Sequence, residues 1–190
     1  MTDDRADIFD LFDIYGQRKY LNTAEARRFL AATRTMAAPQ RLFCEVLFYT
    51  GCRISEALEL TPRRLDRDDK RIIFRTLKRR KLVYRAVPAP ARMMRELVAL
   101  VRVPEQTAPL FPWCRVTGWR IVKEAMDRAR IDGPQATARG LRHAFGIHAI
   151  EVNIPEPMLQ RWMGHARART TRIYTVFGGT DERRWAKRMW

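Results

Sequence analysis

The chain has 190 residues, 46% of them apolar, and a formal net charge of +16. Length and apolar content suit one domain with a real core and exclude a disordered polymer. So large a positive excess costs self-repulsion in a compact fold and marks a protein that binds a polyanion. No run of about 18 apolar residues could span a bilayer. The first residues are acidic and no lipidation motif closes the chain, so nucleic acid, not membrane, is the expected partner. Cys44, Cys52 and Cys114 are odd in number and lack C-x-x-C spacing, which suits free thiols in a reducing cytoplasm. His143 and His148 stand five apart, on different sides of a helix, so no metal site is expected.

Residues 1–19 form an acidic amphipathic segment, with Asp3, Asp4, Asp7, Asp10 and Asp13 around Ile8, Phe9, Leu11, Phe12 and Ile14. It reads as a helix packed on the body, or as an arm for the basic groove or a neighbouring subunit. Asn22 and Glu25 have capping-box spacing at the head of a helix over 24–32. Pro39 suits the first turn of a second helix carrying Leu42, Phe43, Val46 and Leu47, which Gly51 ends. Ser55 is placed to cap a short helix over 56–60, broken by Thr61-Pro62. Residues 71–76 and 82–87 are β-prone, and 77–81 between them make a basic hairpin tip.

Helices then return over 91–101, from a Thr117 cap onward, and over 139–152, 156–163 and 170–177. A last one begins at 180–182 and carries Trp185, Met189 and Trp190. The fold class is mostly α with a small antiparallel β-sheet. The expected division is an acidic segment 1–19, a main domain 20–179, and a helical tail 180–190 that docks on a neighbouring subunit or folds back on its own domain.

Three stretches carry the chemistry: Thr50-Gly51-Cys52-Arg53-Ile54-Ser55-Glu56, Gly140-Leu141-Arg142-His143, and the run from Gly164-His165 through Thr170-Thr171 to Tyr174. Two arginines, a histidine and a late tyrosine on a basic chain are what a phenol attack on a DNA phosphodiester needs. Arginine stays ionised and offers a planar fork of donors, so two of them can stabilise the added charge of a pentacoordinate phosphorus without a metal. Of the five tyrosines, Tyr49 sits on an apolar helix and Tyr84 in a strand, where core packing is expected. Tyr174 alone combines a basic surround with the T-T-x-x-Y approach.

In order and separation these stretches resemble the catalytic domain of the tyrosine recombinases, the phage-integrase family, from about Tyr20 to Tyr174. The resemblance implies that family's catalytic-domain fold and strand cutting through a 3′-phosphotyrosine, with no metal or nucleotide cofactor. It implies Tyr174 as nucleophile, Arg53 and Arg142 on the phosphate, Glu56 supporting Arg53, and His165 as the donor ahead of the nucleophile. Lys78 in the hairpin tip would be the general acid, with Lys81 the competitor. The expected partners are double-stranded DNA and further copies of the chain, as a dimer or tetramer. Such a protein belongs to a bacterium, phage or plasmid and works on the nucleoid.

Arg79, Arg80, Lys81, Arg167, Arg169 and Arg172 are the expected DNA contacts. His143 and His148, in an apolar helix, read as structural or DNA-facing, with His143 in a supporting role.

Two departures from the family pattern stand out. Three residues before Arg142 the family has histidine or lysine, and here it is Arg139, which cannot act as a base near neutral pH. His165, a water or the phosphate would have to activate Tyr174, which makes a slow or conditional enzyme a natural reading. Many relatives also carry a DNA-clamping domain ahead of the catalytic one, and fewer than twenty residues precede it here. A type IB topoisomerase, or a DNA-binding regulator on the same fold, are the other readings of these residues.

Overall fold

The computed structural model describes residues 11–78, 81–101, 107–175 and 186–189, and of Leu77, Lys78 and Lys81 the backbone alone. The acidic residues 1–10, most of the stretch expected to form the terminal helix, and Arg79 and Arg80 lie outside the described residues, as do the Lys78 and Lys81 side chains.

Helix α1 (Thr23–Thr33) starts as its sequence dictates: Asn22 accepts the Glu25 N–H, and the Glu25 carboxylate accepts the Asn22 N–H. Helix α2 (Ala38–Thr50) has Pro39 in its first turn and buries Leu42, Phe43, Val46 and Leu47. It ends at Gly51, whose φ of 58° is left-handed. Helix α3 (Ile54–Leu58) begins one residue before Ser55, so Ser55 is not its cap; Arg53 holds that position and Glu56 accepts its N–H.

The sheet has strands β1 (Leu65–Asp66), β2 (Arg71–Lys78) and β3 (Lys81–Pro88) in antiparallel order β1-β2-β3. The hairpin is longer than its apolar pattern suggested, because pairing continues through Leu77–Leu82 to Lys78–Lys81. β1 has no sequence signal, being two residues held by β2. Tyr84 is corrected: it is 58% exposed, while Arg85 is buried on the face shared with Val87.

Helices α4 (Ala91–Ala99), α5 (Arg115–Arg128), α6 (Ala138–Glu151), α7 (Glu156–Met163) and α8 (Arg169–Thr175) follow. In α4 Met93, Met94 and Leu97 are buried, and the helix stops short of Val101. Cys114, not Thr117, precedes the first residue of α5, and Thr117 lies inside its first turn. Thr137 caps α6 by accepting the Gly140 N–H. Residues 11–19 are not helical. A Phe12–Arg18 bridge closes a turn pinned by the Asp13 carboxylate, which leaves Ile14 and Tyr15 exposed.

The main core gathers α1 to α5 and the sheet around Phe29, Phe43, Phe74, Phe111 and Met126. A second, smaller core holds Leu11, Ile147, Ala149, Leu159, Met163 and Tyr174. The chemistry-bearing stretches lie at the seam between the two. Among the described residues no helix is long and apolar enough to cross a membrane.

Candidate active site

The turn after α2 sets the first arginine. A Cβ at Gly51 would stand 2.5 Å from Phe145 Cδ1, so only glycine lets α2 and α6 approach here while the chain turns left-handed. Arg53 then opens α3, with Nη1 donating to Glu56 Oε1 at 3.1 Å and the side chain 44% exposed. The second arginine comes from α6. Arg142 donates from Nη1 to the Gly51 carbonyl at 2.6 Å and from Nη2 to the Met163 carbonyl at 2.7 Å. One guanidinium therefore ties the turn before Arg53 to the turn before His165. Burial, and next the charge of Arg53, bring the Arg142 pKa down to about 10. The charge of Arg53 acting on Arg142 is a repulsion that a bound phosphate would relieve.

His165 follows the left-handed Gly164 that ends α7. Its Nδ1 shares a hydrogen bond with Thr171 Oγ1 at 2.9 Å, which leaves Nε2 as the nitrogen able to serve a substrate. Burial, then the charges of Arg142, Arg53 and Arg85, lower its pKa to about 3, so it is neutral at working pH. The ring lies near-parallel to Tyr174, 14° between planes and 6.3 Å between centroids.

Tyr174 is 1% exposed. Its hydroxyl lies 3.0 Å from His143 Nδ1, and the Nε2 of His143 is buried without a partner among the described residues. His143 therefore faces inward onto the phenol and not outward to DNA, while His148 is the exposed one. Burial raises the phenol pKa to about 12, against the pull of Arg142. Burial, with Arg142, Arg139 and Lys19, lowers His143 to about 4. With the phenol pushed up and the imidazole pushed down, His143 is a poor acceptor for the Tyr174 proton, and the phenol stays protonated in this seat. Arg139 is exposed one turn ahead of Arg142 on α6.

Sequence reasoning missed Arg85. Burial alone would raise the Glu56 carboxyl, but the bonds and charge of Arg85, helped by Thr76 and the Arg53 N–H, hold it at about 2. The missed signal is strand phase: Arg85 stands two residues from the buried Val87 and so points inward. Beside Arg53 lies an open cleft of about 660 Å³ lined by Ser55, Glu56, Arg75, Thr76 and Gly164. A second of about 240 Å³, sharing Thr76 and Gly164, is lined by Arg85 and His165. Arg167, Arg169 and Arg172 are exposed between α7 and the end of α8, and Arg172 Nε is a loose 3.9 Å from Glu156.

The geometry thus brings Arg53, Glu56, Arg142, His143, His165 and Tyr174 to one seam. The phage integrase family model matches residues 19–177. Tyrosine recombinase XerD of Mycobacterium tuberculosis is 31% identical over 147 residues, covering 72% of this chain and 47% of that protein. The crystal structure of XerA recombinase superposes with a TM-score of 0.73 at 22% identity, over 90% of this chain and 62% of that one. XerH recombinase bound to its difH substrate, in a pre-cleavage complex, gives 0.72 at 22% identity, over 86% and 56%. The chain spans about half the length of the curated relatives it matches. With its mostly helical fold and these matches, the chain belongs to the phage integrase family, the tyrosine recombinases.

Proposed function

We propose that this chain is a site-specific DNA recombinase that cuts and rejoins strands through a 3′-phosphotyrosine. The observation that carries the reading is the convergence of residues distant in sequence: Arg142 ties the turn before Arg53 to the turn before His165, and the His165 ring lies along Tyr174. The relative XerH bound to difH supports DNA as the substrate class.

In the step itself the Tyr174 oxygen forms a bond to phosphorus and the bond from phosphorus to the 5′ oxygen breaks. The phenol proton passes to water at the opened site. The departing 5′ oxygen takes a proton from a hairpin lysine, Lys78 or Lys81. Arg53 and Arg142 hold the non-bridging oxygens, with His165 Nε2 as a further donor. The phosphotyrosine conserves the bond energy, so attack by a 5′ hydroxyl reverses the step and no nucleotide is consumed. Arg139, fixed as a cation, adds charge at the phosphate and takes no proton.

Because Tyr174 Oη is buried against His143, it must leave that seat before it can reach a phosphate. Cleavage is therefore conditional on a rearrangement, which assembly as a dimer or tetramer on paired sites would supply. The buried free thiols of Cys44 and Cys52 suit a reducing cytoplasm, where such a protein works on the nucleoid.

A pool of nicked suicide duplexes of randomised sequence tests the reading. A covalent adduct that Tyr174→Phe abolishes is the expected result. The burial of Tyr174, with Arg139 in place of a base, favours one other reading: a DNA-binding regulator on the same fold. Salt-sensitive binding with no adduct from any duplex would select that reading instead.

A further inference from the structure

Arg85 lies in the middle of the site, yet no step described so far uses it. The residue is 7% exposed, and its guanidinium donates in three directions. Nη1 and Nη2 take the two Glu56 carboxylate oxygens at 2.8 and 2.7 Å. Nη1 also meets Thr76 Oγ1 on β2, across the hairpin, at 2.5 Å. Nε donates to the Trp162 carbonyl near the end of α7 at 2.7 Å. The group lies over the Phe74 ring, 5.1 Å from its centroid, and presses so closely on Gly164 that a Cβ there would come within 3.1 Å.

Each contact leads to a different part of the machinery. Glu56 is the carboxylate that binds both the N–H and the Nη1 of Arg53. Trp162 and Gly164 lie just before His165. β2 ends at Lys78 and β3 begins at Lys81, the tip assigned above to the general acid. A planar fork with five donors can satisfy these partners together; an ammonium on a flexible stem cannot.

We propose that Arg85 is a positioning residue for proton delivery. It clamps the hairpin to α3 and to the turn before His165, so that the tip lysine meets the leaving 5′ oxygen while Arg53 holds the phosphate. The inference rests on the recombinase reading above.

Arg85→Lys tests it, because a lysine keeps a positive charge against Glu56 but loses the fork. Amide hydrogen exchange on the DNA-free protein reads the clamp directly. In the variant, the hairpin, α3 and residues 162–165 should exchange faster together, while α1, α2 and α5 keep their protection.

The chemistry is read with two suicide duplexes, one ordinary and one with sulfur in place of the scissile 5′ oxygen. A displaced oxygen needs a proton, whereas a thiolate leaves without one because its conjugate acid is far stronger. Adduct formation by Arg85→Lys should fall about 10²-fold on the oxygen duplex, the cost of a misplacement of about 1 Å. On the sulfur duplex it should return to within roughly tenfold of the parent, as it should for Lys78→Ala or Lys81→Ala, whichever removes the acid.

Equal losses on both duplexes, or exchange unchanged from the parent, would overturn the proposal. If neither lysine variant is rescued by sulfur, proton delivery from the hairpin falls, and the role of Arg85 in it falls too. A parent with no Tyr174-dependent adduct on either duplex rejects the recombinase reading itself, and the exchange pattern alone then decides whether the clamp exists.

Discussion

The Tyr174 ring lies across Gly146 so closely that a Cβ on that glycine would stand 2.6 Å from Cζ and 2.7 Å from each Cε. The absent methyl is the floor of the seat, and His143 Nδ1 is its polar end. Gly146→Ala should therefore evict the phenol, at a cost of about 1–3 kcal/mol in urea unfolding, typical of overpacking a tight site. Alkaline difference spectra against Tyr174→Phe would read the eviction. The parent phenol ionises near 12, and in Gly146→Ala it should move back toward the ordinary value of 10.0. An unmoved titration would mean that α6 yields and the ring stays.

The two arginines should fail differently. Arg53 is half exposed and paired with Glu56 three residues on. Arg53→Ala should cost cleavage about 10²-fold or more, as for a preorganised anion donor, yet less than about 1 kcal/mol of stability. Arg142→Ala strips the Gly51 and Met163 carbonyls of their charged donor. It should lose cleavage and about 3 kcal/mol of stability together, since each such bond is among the stronger kind. Unfolding curves beside adduct yields separate the cases, and equal stability losses would contradict the assignment of Arg142 as the tie between turns.

What the sequence made legible was mostly local or charged. Asn22 with Glu25, Pro39 and Gly51 act within one turn of the backbone, so their spacing is enough to place them. Arg53, Arg142, His165 and Tyr174 were legible because their residue types suit one reaction and their order matches a family pattern. Arg85 was hidden because its partners are far away in the chain: Glu56 is 29 residues back and Trp162 is 77 ahead. A basic residue in a basic hairpin gives no hint of burial unless the two-residue strand phase is followed, and following it would also have turned Tyr84 outward. The storage of Tyr174 was hidden for another reason. Gly146 is one small residue inside a helix, and nothing in its neighbours shows that an aromatic ring arrives from 28 positions later.

Stability should fall between neutral and mildly acid pH because of two histidines. Burial, reinforced by Arg142, holds His143 near 4 and His165 near 3, both below the ordinary 6.5. Below 6.5 the unfolded chain takes up protons that the folded chain refuses, so this stability is complete above 6.5 and lost as pH falls. From about pH 7.5 to 5 the loss should reach about 2 kcal/mol for each histidine and about 4 for the pair. Glu56 adds nothing in that window. Its carboxyl sits at about 2 against an ordinary 4.5, so its contribution is lost only as pH falls below 4.5 and through 2. Urea midpoints at the two pH values measure the effect. His143→Gln and His165→Gln should each remove about half of it, and parallel curves in parent and variants would refute the account.

DNA affinity should be steeply salt-dependent, and the basic groups should divide the slope unequally. Each phosphate neutralised contributes roughly −0.9 to the slope of log affinity against log salt. Arg167 and Arg169 are exposed with no carboxylate beside them among the described residues, whereas Arg172 is loosely drawn to Glu156 at 3.9 Å. Replacing all three by glutamine should flatten the slope by roughly 2 to 3, and Arg172→Gln alone should change it least, because that side chain gives up an existing ion pair to reach DNA. Fluorescence anisotropy with a labelled duplex between about 50 and 200 mM salt covers the range in which counterion release dominates. Weaker binding with an unchanged slope would show that these arginines act on the fold or on bases, and would move the phosphate contacts to the hairpin tip of Lys78, Arg79, Arg80 and Lys81.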